Sequence, residues 1–181
     1  MNTQQLLLIA AAALLVFWML GAHNRLVALR NEIIAAWAQV DEPLQRRGAA
    51  LLALVEALRG HFSEEHGALD ALQAAQAQVQ AAADALRLRP ALAPRAAALS
   101  SAEAVLQAAL ARVLSLLEQR ASLAAGDELA SQLAALRDTA QRMAFARQLF
   151  NDTVGRYNEA ARQFPTRLMS SLFGFDAAGK L

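Results

Sequence analysis

The chain opens on an unbroken apolar run and then settles into a helical rhythm of apolar and polar positions. From Asn2 to Asn24 no side chain carries a full charge, and Leu6–Ala22 is apolar throughout, seventeen residues in all. As a helix it would measure about 25 Å, at the short end of what crosses the hydrocarbon core of a bilayer. Gln4, Gln5 and His23 flank the run, and Trp18 lies near one end, where indoles favour the membrane interface. A cleaved signal sequence fits less well. MNTQQ holds no basic residue, and Leu20-Gly21-Ala22 sets a large side chain at the third position before a cut. A core helix surrounded by protein on all sides is the other reading of so uniform a stretch. The run predicts a single-pass transmembrane helix, marked by Leu6, Trp18 and Ala22. No basic side chain precedes it, whereas Arg25 and Arg30 follow closely and Arg46 and Arg47 come further on. The positive-inside rule then predicts an N-terminus outside and a body in the cytoplasm.

Beyond the span, Leu26, Val27, Ile33, Ile34, Trp37 and Val40 recur at spacings that mark one helical face, so the helix should continue to about Val40. Asp41-Glu42-Pro43 reads as an end and a restart, with Asp41 as a cap and Pro43 in a first turn. A second stretch, from Leu44 to about Leu88, carries Leu51, Leu54, Val55, Leu58, Leu69, Leu72, Val79 and Leu86 on its apolar side. Gly60 and Ser63 are points at which it could divide. The segment from Arg87 to Arg95, with Pro90 and Pro94, predicts a loop. Ser100 or Ser101 then caps a helix to about Leu123, striped by Leu106, Leu110, Val113, Leu114 and Leu117. Gly126 ends it, and Asp127 caps a last long helix that runs to Gln163 and stops at Phe164-Pro165.

The expected fold is therefore all-α. An N-terminal transmembrane helix (residues 1–22) continues into an antiparallel up-and-down bundle of about four helices (23–165). A short amphipathic segment and tail (166–181) follow. An extended coiled coil is the alternative, but the apolar pattern does not hold a 3.5-residue repeat over many heptads. In the terminal segment Leu168, Met169, Leu172 and Phe173 share one face. That face predicts either a lid on the bundle or a contact with a second copy, a partner or the lipid interface, through Leu168, Leu172 and Phe173.

Composition narrows the function more than it defines it. The 181 residues are dominated by Ala and Leu, which favour helix, and the net charge is only +1. Such a field does not suit nucleic acid. Cysteine is absent, which excludes disulfides and thiol catalysis. His61, Glu64, Glu65 and His66 invite a metal reading, but histidines five apart diverge by about 140° around a helix. No nucleophile–base pair or glycine-rich phosphate loop is present. No cofactor is expected, and an enzyme using the His61–His66 region is the minor alternative. The partners expected are the lipid bilayer, other proteins and further copies of the chain.

Four of the five asparagines form two pairs at heptad spacing, Asn24 with Asn31 and Asn151 with Asn158. Each pair shares one helical face. They could lie on a solvated stripe. Alternatively the two stripes face each other and exchange carboxamide hydrogen bonds, fixing the register of the bundle.

The segments together resemble the LemA family. A first matching stretch holds Asn24, Leu26-Val27, Arg30-Asn31, Ala36-Trp37, Gln39-Val40-Asp41, Leu44, Arg46-Arg47, Leu54-Val55-Glu56 and Gly60. A second runs from Ala102-Glu103 through Leu106 to Leu110 and Arg112. A third holds Ala146-Arg147, Phe150-Asn151, Val154, Tyr157-Asn158, Phe164-Pro165 and Gly174-Phe175. The chain departs from the family pattern at Ala49 and Leu51-Leu52-Ala53, where the family carries Asp and then Ile-Pro-Asn. It departs again at Glu64-Glu65, and it lacks the aromatic-rich tail beyond Phe175. The resemblance implies a short N-terminus, one membrane span and a cytoplasmic helical bundle in a bacterial cell membrane, with no established enzymatic activity. It also implies structural roles for Asn24, Arg30, Asn31, Trp37, Asp41, Arg46, Arg47, Asn151, Tyr157, Asn158, Phe164, Pro165, Gly174 and Phe175. A scaffold or adaptor that self-associates or binds envelope proteins is the function expected, with a secreted or periplasmic binding bundle as the alternative.

Overall fold

The computed structural model of the chain describes residues 2–62, 65–120, 127–163, 166–167 and 174–181. Four helices account for most of them: α1 (Thr3–Arg59), α2 (His66–Leu88), α3 (Ala93–Glu118) and α4 (Asp127–Arg162). Helix is what the sequence favours locally, since Ala and Leu lose little entropy in it.

α1 is two things in sequence. Over its first turns the apolar side chains stand in the open, with Leu7 66% and Phe17 74% exposed. From Leu26 onward one face turns inward, through Ile33, Trp37, Val40, Leu44, Leu51, Leu54 and Leu58. These positions recur every three, four or seven residues, so one continuous rod of about 85 Å carries the apolar run straight into the core.

The expected break at Asp41–Pro43 does not occur, and Pro43 lies inside α1. A proline there removes one backbone hydrogen bond and crowds the preceding turn, at a cost of about 3 kcal/mol. Packing on both sides of the site offsets that cost, with Leu44, Leu51 and Leu54 buried beyond it. Trp37 meets Phe150 of α4 edge-on at 6.2 Å, and Pro43 itself is buried. Asp41 does not cap a new helix. Its carboxylate accepts hydrogen bonds from Arg87 of α2 at 2.7 and 3.0 Å and from Gln45 at 3.0 Å. The chain breaks instead at Gly60, the other point at which the second stretch could divide. Phe62 is buried just beyond it, under the Arg120 guanidinium, which lies 4.8 Å from its ring centre.

α3 begins earlier than its serines suggest. Ser100 and Ser101 lie within that helix and do not cap it, because it starts at Ala93. Pro94 sits in the first turn, where a missing N–H costs nothing, so only Arg89–Leu92 remain as a connection. Arg95 staples that turn by donating to the Ala85 carbonyl at 2.6 Å.

Cross-helix partners run in opposite chain order. Between α1 and α2, Asp41 meets Arg87 and Arg59 meets Gln73. Between α2 and α3, Ala85 meets Arg95 and Glu65 meets Arg120. Between α1 and α4, Glu32 meets Arg156 and Trp37 meets Phe150. Buried alanines such as Ala75, Ala83, Ala96 and Ala102 let the helices approach closely.

One charged cluster sits inside this apolar packing. Arg47 of α1 makes a two-pronged ion pair with Glu103 of α3, their side chains 6% and 7% exposed. Arg147 of α4 reaches the same carboxylate at 3.3 Å. Three helices therefore share one carboxylate, which ties their register together. α3 is long and apolar enough to pass as a span by composition, with a mean hydropathy of 1.3 over its richest window. Its Glu103 is nevertheless paired within the bundle.

Candidate functional site: a clasp for the C-terminal segment

α4 carries Asn151 and Asn158 seven residues apart, close to two turns, so both side chains leave the helix on one face. That face holds the last residues of the chain. The Asn158 Nδ2 donates to the Ala178 carbonyl at 2.9 Å, and the Ala178 N–H donates to Asn158 Oδ1 at 2.8 Å. The pattern repeats at Asn151, whose Nδ2 donates to the Leu181 carbonyl at 2.8 Å while its Oδ1 accepts the Leu181 N–H at 2.7 Å. A carboxamide matches a peptide group donor for acceptor, so each asparagine satisfies one whole residue of an extended chain.

Tyr157 adds a fifth bond, its hydroxyl donating to the Asp176 carbonyl at 3.0 Å. The ring is buried, at 2% exposure. Burial pushes the phenol above its ordinary pKa; the nearby Arg30 charge pulls it back and Asp176 reinforces the rise. The neutral form, the one that can donate, is thus the favoured one.

The other wall of the seat is α3. Gly179 lies so close to it that an added Cβ would stand 2.6 Å from the Ala93 Cα and 2.9 Å from the Ala96 Cβ. Only glycine fits there. Gly174 has a φ of 68°, a conformation that also favours glycine. Phe175 is buried and meets the His23 ring edge-on at 5.4 Å, at the level where α1 enters the bundle. A small cleft of about 160 Å³ remains beside the segment, lined by Arg30, Arg89, Tyr157 and Asp176 among others.

The expected exchange of carboxamide bonds between the two asparagine pairs does not form. Asn24 and Asn31 are exposed. They precede the buried Leu26 and Ile33 by two residues each, about 200° around the helix, so they point away from the core.

Of the other motif residues, Trp37 is buried against Phe150, and Asp41 ties α1 to α2. Arg30 is exposed at the cleft, and Arg46 pairs with Glu42 on the surface. Leu6 is exposed, while Trp18 and Ala22 are half-buried. Phe164, Pro165, Leu168, Met169, Leu172 and Phe173 lie outside the described residues, as do Ser63, Glu64 and Gly126.

Glu103, Arg147 and Gly179 do not stand out in the sequence as site residues. The first two had a signal. Arg47 falls between Leu44 and Leu51, Glu103 between Leu99 and Leu106, and Arg147 between Met143 and Phe150, each charge on an apolar stripe. Among the described residues no three His, Asp, Glu or Cys side chains converge as metal ligands would. Glu65 pairs with Arg120 at 2.7 Å.

A long helix leads this bundle, and its last helix clasps its own C-terminal segment. The model of the LemA family matches residues 36–180, most of the chain. The chain belongs to the LemA family. The match takes in the buried charge cluster and the clasp apart from Leu181 and His23, and it begins after the apolar run and the Asn24–Asn31 stretch. A search of curated proteins finds no match.

Proposed function

We propose that the chain is a non-enzymatic, single-pass protein of the bacterial inner membrane, with its N-terminus outside and its bundle in the cytoplasm. It acts there as a scaffold that self-associates or binds other envelope proteins. The observation that carries the reading is the apolar start of α1. Its richest window has a mean hydropathy of 2.3 and is only 6% buried, so the bundle leaves it uncovered. Exposed apolar surface on that scale needs a bilayer or a partner to cover it. Arg25 and Arg30 follow the run and support that orientation. The scaffold role is supported by the LemA relationship and by sites built from packing and backbone recognition in place of reactive groups.

Alkaline extraction of membranes from the native host, with intact mass of the recovered protein, tests the anchor. The full-length chain should stay in the pellet with its first residues intact. A soluble chain that has lost its first residues would establish the secreted bundle instead. The scaffold role is read by crosslinking mass spectrometry in the same membranes, which should return a second copy or an envelope protein.

A further inference from the structure

The clasp has a property that its occupation by the chain's own end conceals. Asn151 and Asn158 read only peptide groups, at Leu181 and Ala178, and Tyr157 reads only the Asp176 carbonyl. Nothing in those five bonds depends on the segment being joined to the same chain. Selectivity comes from elsewhere, from the Phe175 ring against His23 and from the seat that admits only glycine at position 179. This is a peptide site that recognises one extended sequence, and every copy of the chain carries that sequence.

We propose that the seat between α3 and α4 also takes residues 174–181 of a second copy, so that neighbouring chains associate by exchanging C-terminal segments. The inference rests on the self-associating scaffold of the proposed function and names the surface that would do it. Three observations favour a second copy as the occupant. The exchanged contacts of residues 174–181 are identical to the internal ones, so the seat itself loses no contact energy on exchange, which makes it an accessible route to oligomers. The covalent link leaves room for it, because the twelve residues from Arg162 to Gly174 can reach roughly 40 Å when extended. Lastly, α1 is one continuous helix from the apolar run to Arg59. If that run lies in a bilayer, every seat stands at one height above it, and the search for a partner is confined to a plane.

The chain has no cysteine, so introduced thiols report alone. Gly155 lies on the Asn151–Asn158 face with open space for a Cβ, and Lys180 of the segment is exposed. Two differently tagged full-length chains, one Gly155→Cys and the other Lys180→Cys, would be co-expressed and treated in native membranes with a short bis-maleimide. A single chain carrying both substitutions serves as the internal reference and should crosslink to itself. Exchange predicts a product bearing both tags. It should fall about tenfold or more when Asn151→Ala and Asn158→Ala are added to the Gly155→Cys chain, which removes four hydrogen bonds. It should fall likewise when Gly179→Leu is added to the Lys180→Cys chain, a change that leaves the receiving bundle intact. An internal crosslink without any two-tag product would overturn the proposal. So would a two-tag product indifferent to all three substitutions, which would place self-association on another surface, or failure of the reference chain to crosslink. Alkaline extraction of the same membranes reads the anchor separately. A soluble chain that still exchanges segments would sink the anchor and keep the exchange.

Discussion

Glu103→Leu should be among the most destabilising single changes in the bundle. Arg47 is 6% exposed on its side chain and takes both prongs of its ion pair from that one carboxylate. Removing the carboxylate strands a guanidinium in apolar packing, a loss of about 3–5 kcal/mol. Arg147 adds little, because its side chain is 38% exposed and can turn to water, as in a surface pair worth about 0–1 kcal/mol. At roughly 2–4 °C per kcal/mol for a chain of this size, the melting temperature should fall by about 6–20 °C. The informative variant is the pair Arg47→Met with Glu103→Leu, which replaces both charges by apolar side chains. It should recover most of the loss or exceed the parent, because a buried ion pair and a well-packed apolar pair are close in energy. Thermal unfolding of the full chain in detergent, followed by circular dichroism, completes the double-mutant cycle. Two losses that simply add in the double variant would refute the reading of Arg47 and Glu103 as one coupled unit.

Asn158→Ala should cost about 1–2 kcal/mol of segment docking, two neutral hydrogen bonds' worth, and raise amide exchange over residues 174–181. Asn31→Ala, on the exposed face of α1, should change stability by no more than about 0.5 kcal/mol, and equal effects would contradict the assignment. Gly179→Leu should unseat the segment and expose Phe175 with the helix content intact; unchanged exchange at Ala178 would show that the seat tolerates side chains. Tyr157 is the sole tyrosine, so tyrosinate absorbance reads it directly. Its folded pKa is raised, so the neutral form's contribution is complete below about pH 10 and is lost as pH climbs through the folded value. The absorbance step should therefore lie above that of the unfolded chain and coincide with release of the segment; a step at or below the unfolded value would contradict its burial.

Much of the architecture is legible because it is periodic. The spacing of Leu26, Ile33, Trp37 and Val40 gives α1 its inward face, although Val27 and Ile34, read onto the same face, are exposed one position round the helix; the run from Asp127 to Arg162 gives α4 almost to the residue. Pro43 misleads because local propensity is weighed there without the packing that offsets it, from Trp37 and Val40 before it and Leu44 and Leu51 after it. Ser100 misleads in the opposite sense. It is a good capping residue, but Pro94 had already started the helix. The clasp is legible only by half. Heptad spacing shows that Asn151 and Asn158 share a face, yet their partners are peptide groups, which every residue carries and no sequence distinguishes. The segment they hold has no periodicity either, because it forms neither helix nor strand. Glu103 lies beyond local patterns for another reason. Its partner Arg47 is on a different helix, and only the shared habit of interrupting an apolar stripe links them.

A continuous rod from bilayer to bundle is tested most directly by thiol accessibility along α1, one introduced cysteine at a time in this cysteine-free chain. Impermeant maleimide would be applied to spheroplasts and to inverted membrane vesicles. A thiol at Asn2 should label from outside only, thiols at Ala10 and Val16 from neither side, and thiols at Asn24 and Asn31 only from the cytoplasmic face. Labelling of the Asn24 position from outside, or free labelling at Ala10 and Val16, would contradict it.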